Sequence, residues 1–253
     1  MMKALITGAS SGIGREIARL LSARGYDLIL CARREDRLRQ LAAELPTHCH
    51  VIAADVADEK ECRLLYEAAR GDDLEVVVNN AGFGLFGRFD ETDLDAELRM
   101  LDVNIRAVHI LTKLAVQDFE KRGRGYVLNV ASSAGFLPGP LMATYYATKN
   151  YVLRLTQAIR EELRRSGSAV KVCALCPGPV DTEFNKVAGV RFALGGLTAQ
   201  RVAREAVDGL FAGKGVVVPG AAMKAMTVAR HFAPDTLLAR VTYHFQHKKG
   251  GKA

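Results

Sequence analysis

The chain has 253 residues, 49% of them hydrophobic and 25% charged, which are proportions of a globular protein and exclude a disordered or fibrous one. That length suits one large domain and leaves no room for two of ordinary size. The formal charge of +7 raises nucleic acid as a partner, but six Lys or Arg against Asp235 place +5 of it after Gly220, where a solvated, frayed terminus is expected and nucleic acid is not.

Lys3 to Thr7 predicts the first strand, which runs directly into TGASSGIG. Gly8, Ser10, Ser11, Gly12, Ile13 and Gly14 therefore fall where a strand turns into a helix, predicted over Gly12 to Arg24. Glycines let the backbone turn tightly against a pyrophosphate, while free N–H groups and the dipole at a helix start favour its negative charge. The second strand, Asp27 to Ala32, continues as Arg33, Arg34, Glu35 and Asp36. An acidic residue at its tip would bind the ribose 2′-hydroxyl of NAD. Arg33 and Arg34 stand there instead, and a guanidinium holds the 2′-phosphate of NADP through paired, charge-assisted hydrogen bonds. NADP(H) is the expected cofactor; the alternative is that both arginines only open the solvated helix Glu35 to Leu45.

Strands over His50 to Ala54 and Glu75 to Asn79 enclose a helix over Asp58 to Arg70. The clearest helix is Thr92 to Phe119, where Leu94, Leu98, Leu101, Ile105, Val108 and Leu111 recur at spacings of three and four and are expected to face the core. Asn104 lies on that stripe, where a lone Asn is ordinarily a hydrogen-bonded core residue. A strand over Gly125 to Ala131 brings Ser132 to the carboxyl edge of the sheet, where ligands bind. Its hydroxyl can polarise a substrate oxygen; Ser133 competes for that place, and either serine can cap a turn. In the helix Ala143 to Arg165, Tyr145 and Lys149 are four apart and share a face. A phenol with a pKa of about 10 is a poor acid–base group at neutral pH, and the adjacent ammonium, with the positive charge of an oxidised nicotinamide, is expected to draw it toward working pH.

Strands over Val170 to Cys176 and Gly215 to Val218, with a helix over Thr198 to Phe211 between them, complete the pattern. It predicts an α/β protein, a single-domain Rossmann-type doubly wound parallel seven-stranded sheet with helices on both faces. Cys31, Cys49, Cys62, Cys173 and Cys176 read as reduced core thiols. Strand alternation sends Cys173 and Cys176 to opposite faces, and no metal site is expected. The segment after Thr182 carries Phe184, Val190, Phe192 and Leu194, with Gly189, Gly195 and Gly196 as hinges for closing over a ligand. Together with Phe83, Phe86, Phe136, Leu137 and Met142 it reads equally as an apolar pocket for a lipophilic ketone or alcohol and as ordinary core. The stretch from Ala221 to Gln246 mixes Met, Phe and Leu with Arg and Lys, a composition that admits peripheral membrane contact. Pro234 interrupts any single amphipathic helix there, which favours packing against the domain or a partner subunit. No apolar run reaches the roughly 18 residues that span a bilayer. MMKALITGAS is too poor in apolar residues for a secretory signal, so a cytoplasmic location is expected.

Taken in order, these segments resemble the short-chain dehydrogenase/reductase family over residues 1–220, the dinucleotide-binding catalytic part, with 221–253 a basic extension of the same domain. TGASSGIG resembles the family's cofactor turn, AADV places Asp55 and Val56 at the adenine, and NNAG, which includes Asn80, Ala81 and Gly82, resembles its fourth-strand motif. SSAG, YYATK and CPGPVDT are similar to its serine, its tyrosine–lysine pair and the segment closing over the nicotinamide, which would include Pro177, Gly178, Val180 and Thr182. The resemblance implies that Tyr145 is the general acid in reduction and that Lys149 holds the nicotinamide ribose while lowering the tyrosine pKa. It further implies that Ser132 orients the carbonyl, that Asn104 holds a water linking Lys149 to solvent, and that Arg33 selects NADP. An NADP(H)-dependent oxidoreductase interconverting a carbonyl and an alcohol follows, with a small-molecule substrate and a homodimer or homotetramer built on the two long helices. The alternative is an NADP(H)-binding regulatory protein without turnover, which the complete set Tyr145, Lys149, Ser132 and Asn104 opposes.

Overall fold

A computed structural model describes residues 1–189 and 196–247. Short apolar runs form the strands β1 (Lys3–Thr7), β2 (Asp27–Ala32), β3 (Cys49–Ala53), β4 (Leu74–Asn79), β5 (Tyr126–Val130), β6 (Lys171–Leu175) and β7 (Val216–Val217). Amphipathic segments between them form the helices α1 (Gly12–Ala23), α2 (Glu35–Glu44), α3 (Glu59–Ala69), α4 (Leu94–Leu101), α5 (Val108–Arg122), α6 (Ala143–Arg165), the short α7 (Phe184–Val187) and α8 (Ala199–Phe211). The described residues make one seven-stranded sheet in the order β3-β2-β1-β4-β5-β6-β7, with every pairing parallel. It is the doubly wound Rossmann-type sheet the sequence predicts, and each strand boundary lies within one residue of its expected place.

Strand alternation divides the core between two layers. Ala4 and Ile6 of β1 pack with Ile17 and Leu21 of α1, Leu38 of α2 and Val202 of α8, whereas Leu5 packs with Leu65 and Tyr66 of α3 and Leu111 and Phe119 of α5. The chain winds outward from β1 to β3, then returns to lay β4 against the other side of β1. That reversal opens a crevice at the carboxyl ends of β1 and β4, where loops from both halves converge. Cys173 and Cys176 lie in different clusters, as strand alternation requires, and all five cysteines are free.

Two expectations are corrected. The predicted helix Thr92 to Phe119 is not uniform: a π-helical segment, Asp102–Ala107, separates α4 from α5. Its wider turn shifts the helical phase, so a stripe drawn with one period cannot hold on both sides. Leu94 and Leu98 are 66% and 47% exposed, and α4 buries Met100 instead. The second correction concerns the C-terminal stretch, which is not frayed through residue 247. It forms α9 (Ala221–Ala229), a 3-10 turn at Arg230–Phe232 and α10 (Asp235–His247). Pro234 sits just ahead of α10, where its missing N–H costs no hydrogen bond, and its carbonyl accepts from Leu237 and Leu238. Gln246 donates to the Tyr146 hydroxyl at 2.6 Å, and the Arg230 guanidinium lies over the Phe136 ring, 5.0 Å from its centroid. Among the described residues no helix is long and apolar enough to cross a membrane.

Candidate active site

The crevice holds a cavity of about 810 Å³. Its floor is the glycine turn. Gly8 and Gly12 have φ of +66° and +56°, which side chains with a Cβ rarely adopt. Gly14 is constrained by space: a Cβ there would lie 2.3 Å from Nδ2 of Asn80 and 2.5 Å from the Gly8 carbonyl. Asn80 braces the turn by donating to the carbonyls of Thr7 and Gly8, both at 3.0 Å, while the Thr7 hydroxyl accepts from the backbone N–H groups of Asn80 and Ala81. Ser11, ahead of α1, makes no side-chain cap to the first-turn N–H groups, and Ser11, Gly12 and Ile13 all line the cavity. A glycine turn of this kind at a helix start can receive a phosphate, and a methyl group at Gly14 would crowd it.

At the end of β2 the two arginines differ. Arg34 donates to Glu183 at 2.9 Å and to the hydroxyls of Ser10 and Ser11 at 3.2 and 3.3 Å. Arg37 binds the other oxygen of Glu183, and the two guanidinium groups hold that carboxyl below the usual carboxylate range. Arg33 lines the cavity with no ion-pair partner among the described residues. Asp55, at the end of β3, pairs with Arg99 of α4; burial opposes its ionisation, but Arg99 and the Ala57 N–H win and its pKa is lowered. Sequence reasoning did not find Glu183 or Arg99, because each meets its partner only through tertiary contact.

The reactive wall comes from β5 and α6. Ser132 caps the turn after β5, its hydroxyl accepting from the Ala134 N–H at 3.1 Å. Tyr145 and Lys149, one turn apart in α6, are 8% and 5% exposed. The Lys149 ammonium donates to the Val130 carbonyl at 2.9 Å and lies 5.8 Å from the Tyr145 ring centroid. Burial lowers its pKa to about 8. Burial also pushes the Tyr145 phenol up to about 12, with the Ser132 hydroxyl working the other way. The direction is opposite to the sequence expectation of a phenol drawn down by its neighbour. Desolvation of the neutral-preferring phenol outweighs an ammonium that is aimed at a backbone carbonyl instead of the hydroxyl.

Asn104 sits inside the π segment, fully buried behind this wall. Its oxygen accepts from the Phe83 N–H at 3.1 Å, and its amide donates to the Phe83 carbonyl and to Thr148 at 2.9 and 3.1 Å. A Cβ on Gly82 would crowd both the Asn104 oxygen, at 3.0 Å, and the Lys149 nitrogen, at 3.3 Å. Asn104 and Gly14 are the two predicted site residues that do not line the cavity; Ile13, Val56, Ala81, Pro177, Gly178, Val180 and Thr182 line it with the rest. Thr182 packs against Gly12, and Val180 pairs with Leu197.

Of the predicted apolar pocket, Phe83, Leu137, Met142 and Phe184 line the cavity, with Phe184 against the Tyr145 ring at 5.4 Å. Phe86 and Phe136 belong to the packed core around it. Val190, Phe192, Leu194 and Gly195 lie outside the described residues. The remaining wall is one that sequence reasoning missed: Met223 and Met226 of α9, and Leu238, Val241, Thr242, Phe245 and Gln246 of α10. The spacing of Leu238, Val241, Thr242 and Phe245 is helical, and it was the available signal.

The sequence profile of the short chain dehydrogenase family matches residues 2–190. The chain belongs to the short-chain dehydrogenases. This short-chain dehydrogenase is 36% identical, over 72% of its own length and 80% of the relative's, to an uncharacterized oxidoreductase of Staphylococcus epidermidis. Among solved structures, it is similar to a short-chain dehydrogenase from Sphingobium yanoikuyae in complex with NADPH, at 30% identity and a TM-score of 0.82, covering 92% of this chain and 94% of that one. A short-chain dehydrogenase/reductase from Burkholderia phymatum in complex with NAD is 25% identical with a TM-score of 0.83, covering 91% and 93%. The chain is therefore an oxidoreductase of a family that binds a nicotinamide cofactor and acts on small molecules. The two solved relatives carry different nicotinamide cofactors.

Proposed function

We propose that this oxidoreductase uses NADP(H) to interconvert a carbonyl and an alcohol on a lipophilic small molecule. One observation carries the reading: Tyr145, Lys149, Ser132 and the glycine turn line a single cavity that Arg33, without an ion-pair partner among the described residues, lines as well. The residues fit the cofactor. The glycine cradle receives the pyrophosphate, Arg33 takes the 2′-phosphate with Arg34 beside it, Asp55 and Val56 border the adenine, and Asn80, Ala81 and Gly82 support the ribose side. Val180 and Thr182 would hold the carboxamide, and Pro177 and Gly178 line the same cavity. Bound there, the cofactor supplies a hydride for the carbonyl carbon.

Tyr145 delivers the proton to the carbonyl oxygen. Its high pKa keeps it protonated at neutral pH, as a donor in reduction must be. Ser132 donates a hydrogen bond to the same oxygen, and the charged Lys149 holds the nicotinamide ribose and favours the phenolate that proton loss leaves behind. Asn104 fixes the Phe83 backbone, and a water held beside it would link Lys149 to solvent, so that a proton lost from Tyr145 to the substrate is returned to the phenolate by way of Lys149. Phe83, Leu137, Met142, Phe184 and the inner faces of α9 and α10 make the substrate end apolar, which supports a lipophilic ketone or alcohol.

The same reading expects a homodimer or homotetramer in the cytoplasm, for which the exposed Leu94 and Leu98 of α4 and Tyr151 of α6 supply apolar surface. A screen of NADPH and NADH oxidation over aldehydes, steroids, quinones and acyl ketones tests it. Turnover of an apolar ketone with NADPH preferred is expected. Cofactor binding without turnover of any of these classes would favour the regulatory alternative.

A further inference from the structure

The C-terminal helices expose apolar side chains beyond those that line the cavity. In α10 the buried residues are Thr242 and Gln246, whereas Leu237, Val241, Tyr243 and Phe245 are 43% to 58% exposed. No residue of α9 is buried, its Val228 is 61% exposed, and Phe232 in the following turn is 86% exposed. A helix that faces water on its outer side turns its apolar stripe inward. Here Leu238, Val241 and Phe245 line the cavity with Thr242 and Gln246, yet Val228, Phe232, Leu237 and Tyr243, none of which lines it, are exposed as well, and exposed apolar side chains in such number mark an interaction site.

Charge indicates what covers it. Lys224 and Arg240 are exposed on the same two helices, and the sequence continues with Lys248, Lys249 and Lys252, while Asp235 is the single acid after Gly220. A second copy docked through this face would set cations against cations. An anionic lipid surface satisfies both components, taking the apolar side chains into the acyl boundary and the Lys and Arg groups among its headgroups. Position supplies the purpose. Val241 and Phe245 line the cavity that contains Tyr145, and Leu237 and Tyr243 of the same helix are exposed outside it, so α10 forms both a wall of the cavity and part of this face.

We propose that α9, α10 and the turn between them form a docking face for anionic bilayers, seating the cavity mouth on the membrane so that a lipophilic substrate passes from lipid to Tyr145. The passage of substrate rests on the function proposed above; the docking does not. The full chain is sedimented with vesicles of phosphatidylcholine alone and of phosphatidylcholine mixed with phosphatidylglycerol. Binding to the mixed vesicles, weakened by added salt, is expected. Phe232→Ser lowers that binding about tenfold by removing one buried aromatic side chain. Lys224→Glu with Arg240→Glu lowers it by about tenfold or more and leaves binding to neutral vesicles unchanged. None of these residues lines the cavity, so turnover of a water-soluble carbonyl compound stays at the wild-type level.

Equal binding to both vesicle types, or binding that survives all three substitutions, overturns the proposal. So does a soluble dimer that Phe232→Ser dissociates, because a second copy would then cover the face. Turnover without vesicle binding sinks the docking face alone, and vesicle binding without turnover sinks the proposed function alone.

Discussion

The buried ammonium of Lys149 predicts an alkaline limit for carbonyl reduction. Burial brings its pKa from 10.5 to about 8, a penalty on the charged form of about 3 kcal/mol. Reduction needs that charge, because it steadies the phenolate formed as Tyr145 gives up its proton. The rate of reduction therefore falls about tenfold for each pH unit above about 8, whereas Tyr145, at about 12, stays protonated throughout. Single-turnover rates with saturating NADPH, measured from neutral to alkaline pH, give the profile. Lys149→Arg lowers the plateau, since a guanidinium cannot keep the 2.9 Å bond to the Val130 carbonyl in the same pose, but it moves the break to much higher pH. Stability should move in the opposite sense. The folded-state pKa lies below the unfolded value, so folding binds fewer protons between about pH 8 and 10.5, and the penalty of burying the charge is relieved as pH rises through that window. The melting temperature of wild type relative to Lys149→Met should accordingly climb across it. A break at the same pH in Lys149→Arg, or a wild-type profile flat across the window, would refute the role given to Lys149.

Three further outcomes are expected. Gly14→Ala forces a methyl group into the space of Asn80 and the Gly8 carbonyl, at 2.3 and 2.5 Å. Such overpacking costs about 1–3 kcal/mol, so calorimetry should show a melting temperature lower by several degrees together with weakened cofactor binding; unchanged values would mean the cradle is not rigid. Arg33→Ala should weaken NADPH by about 1–3 kcal/mol while sparing NADH, as judged by titration calorimetry, and equal losses for the two cofactors would contradict the 2′-phosphate assignment. Glu183→Gln releases Arg34 and Arg37 from a carboxylate that competes with the 2′-phosphate, so NADPH should bind up to about fivefold more tightly with NADH unchanged. Weaker NADPH binding in that variant would show that Glu183 supports the site instead.

Strand positions were legible because runs such as Leu28–Cys31 and Val76–Val78 are apolar on both faces, as a covered parallel sheet demands. The glycine turn and the Tyr145–Lys149 pair were legible for a related reason: their chemistry depends on neighbours close in sequence. Periodicity failed at Leu94 and Leu98, because a π turn at Asp102–Ala107 changes the phase without leaving a composition signal. The same π turn aims Asn104 at Phe83. The C-terminal wall was less legible because polar Thr242 and Gln246 share the inner side of α10 with Leu238, while Leu237 and Tyr243 are exposed, which blurs the apolar stripe. Glu183 could not be paired with Arg34 from sequence, since 149 residues separate them. The upward pull on the Tyr145 pKa was not legible, because adjacency to Lys149 is visible in the sequence and burial is not.

Replacing the phenol hydroxyl tests the central claim most directly. Tyr145→Phe leaves the ring packed against Phe184 and the cavity wall intact, so NADPH should bind as tightly as in wild type. Carbonyl reduction by that variant, followed as NADPH oxidation, should fall by at least about a hundredfold, the contribution of a positioned general acid. Reduction at the wild-type rate with NADPH still bound would show that the proton comes from elsewhere.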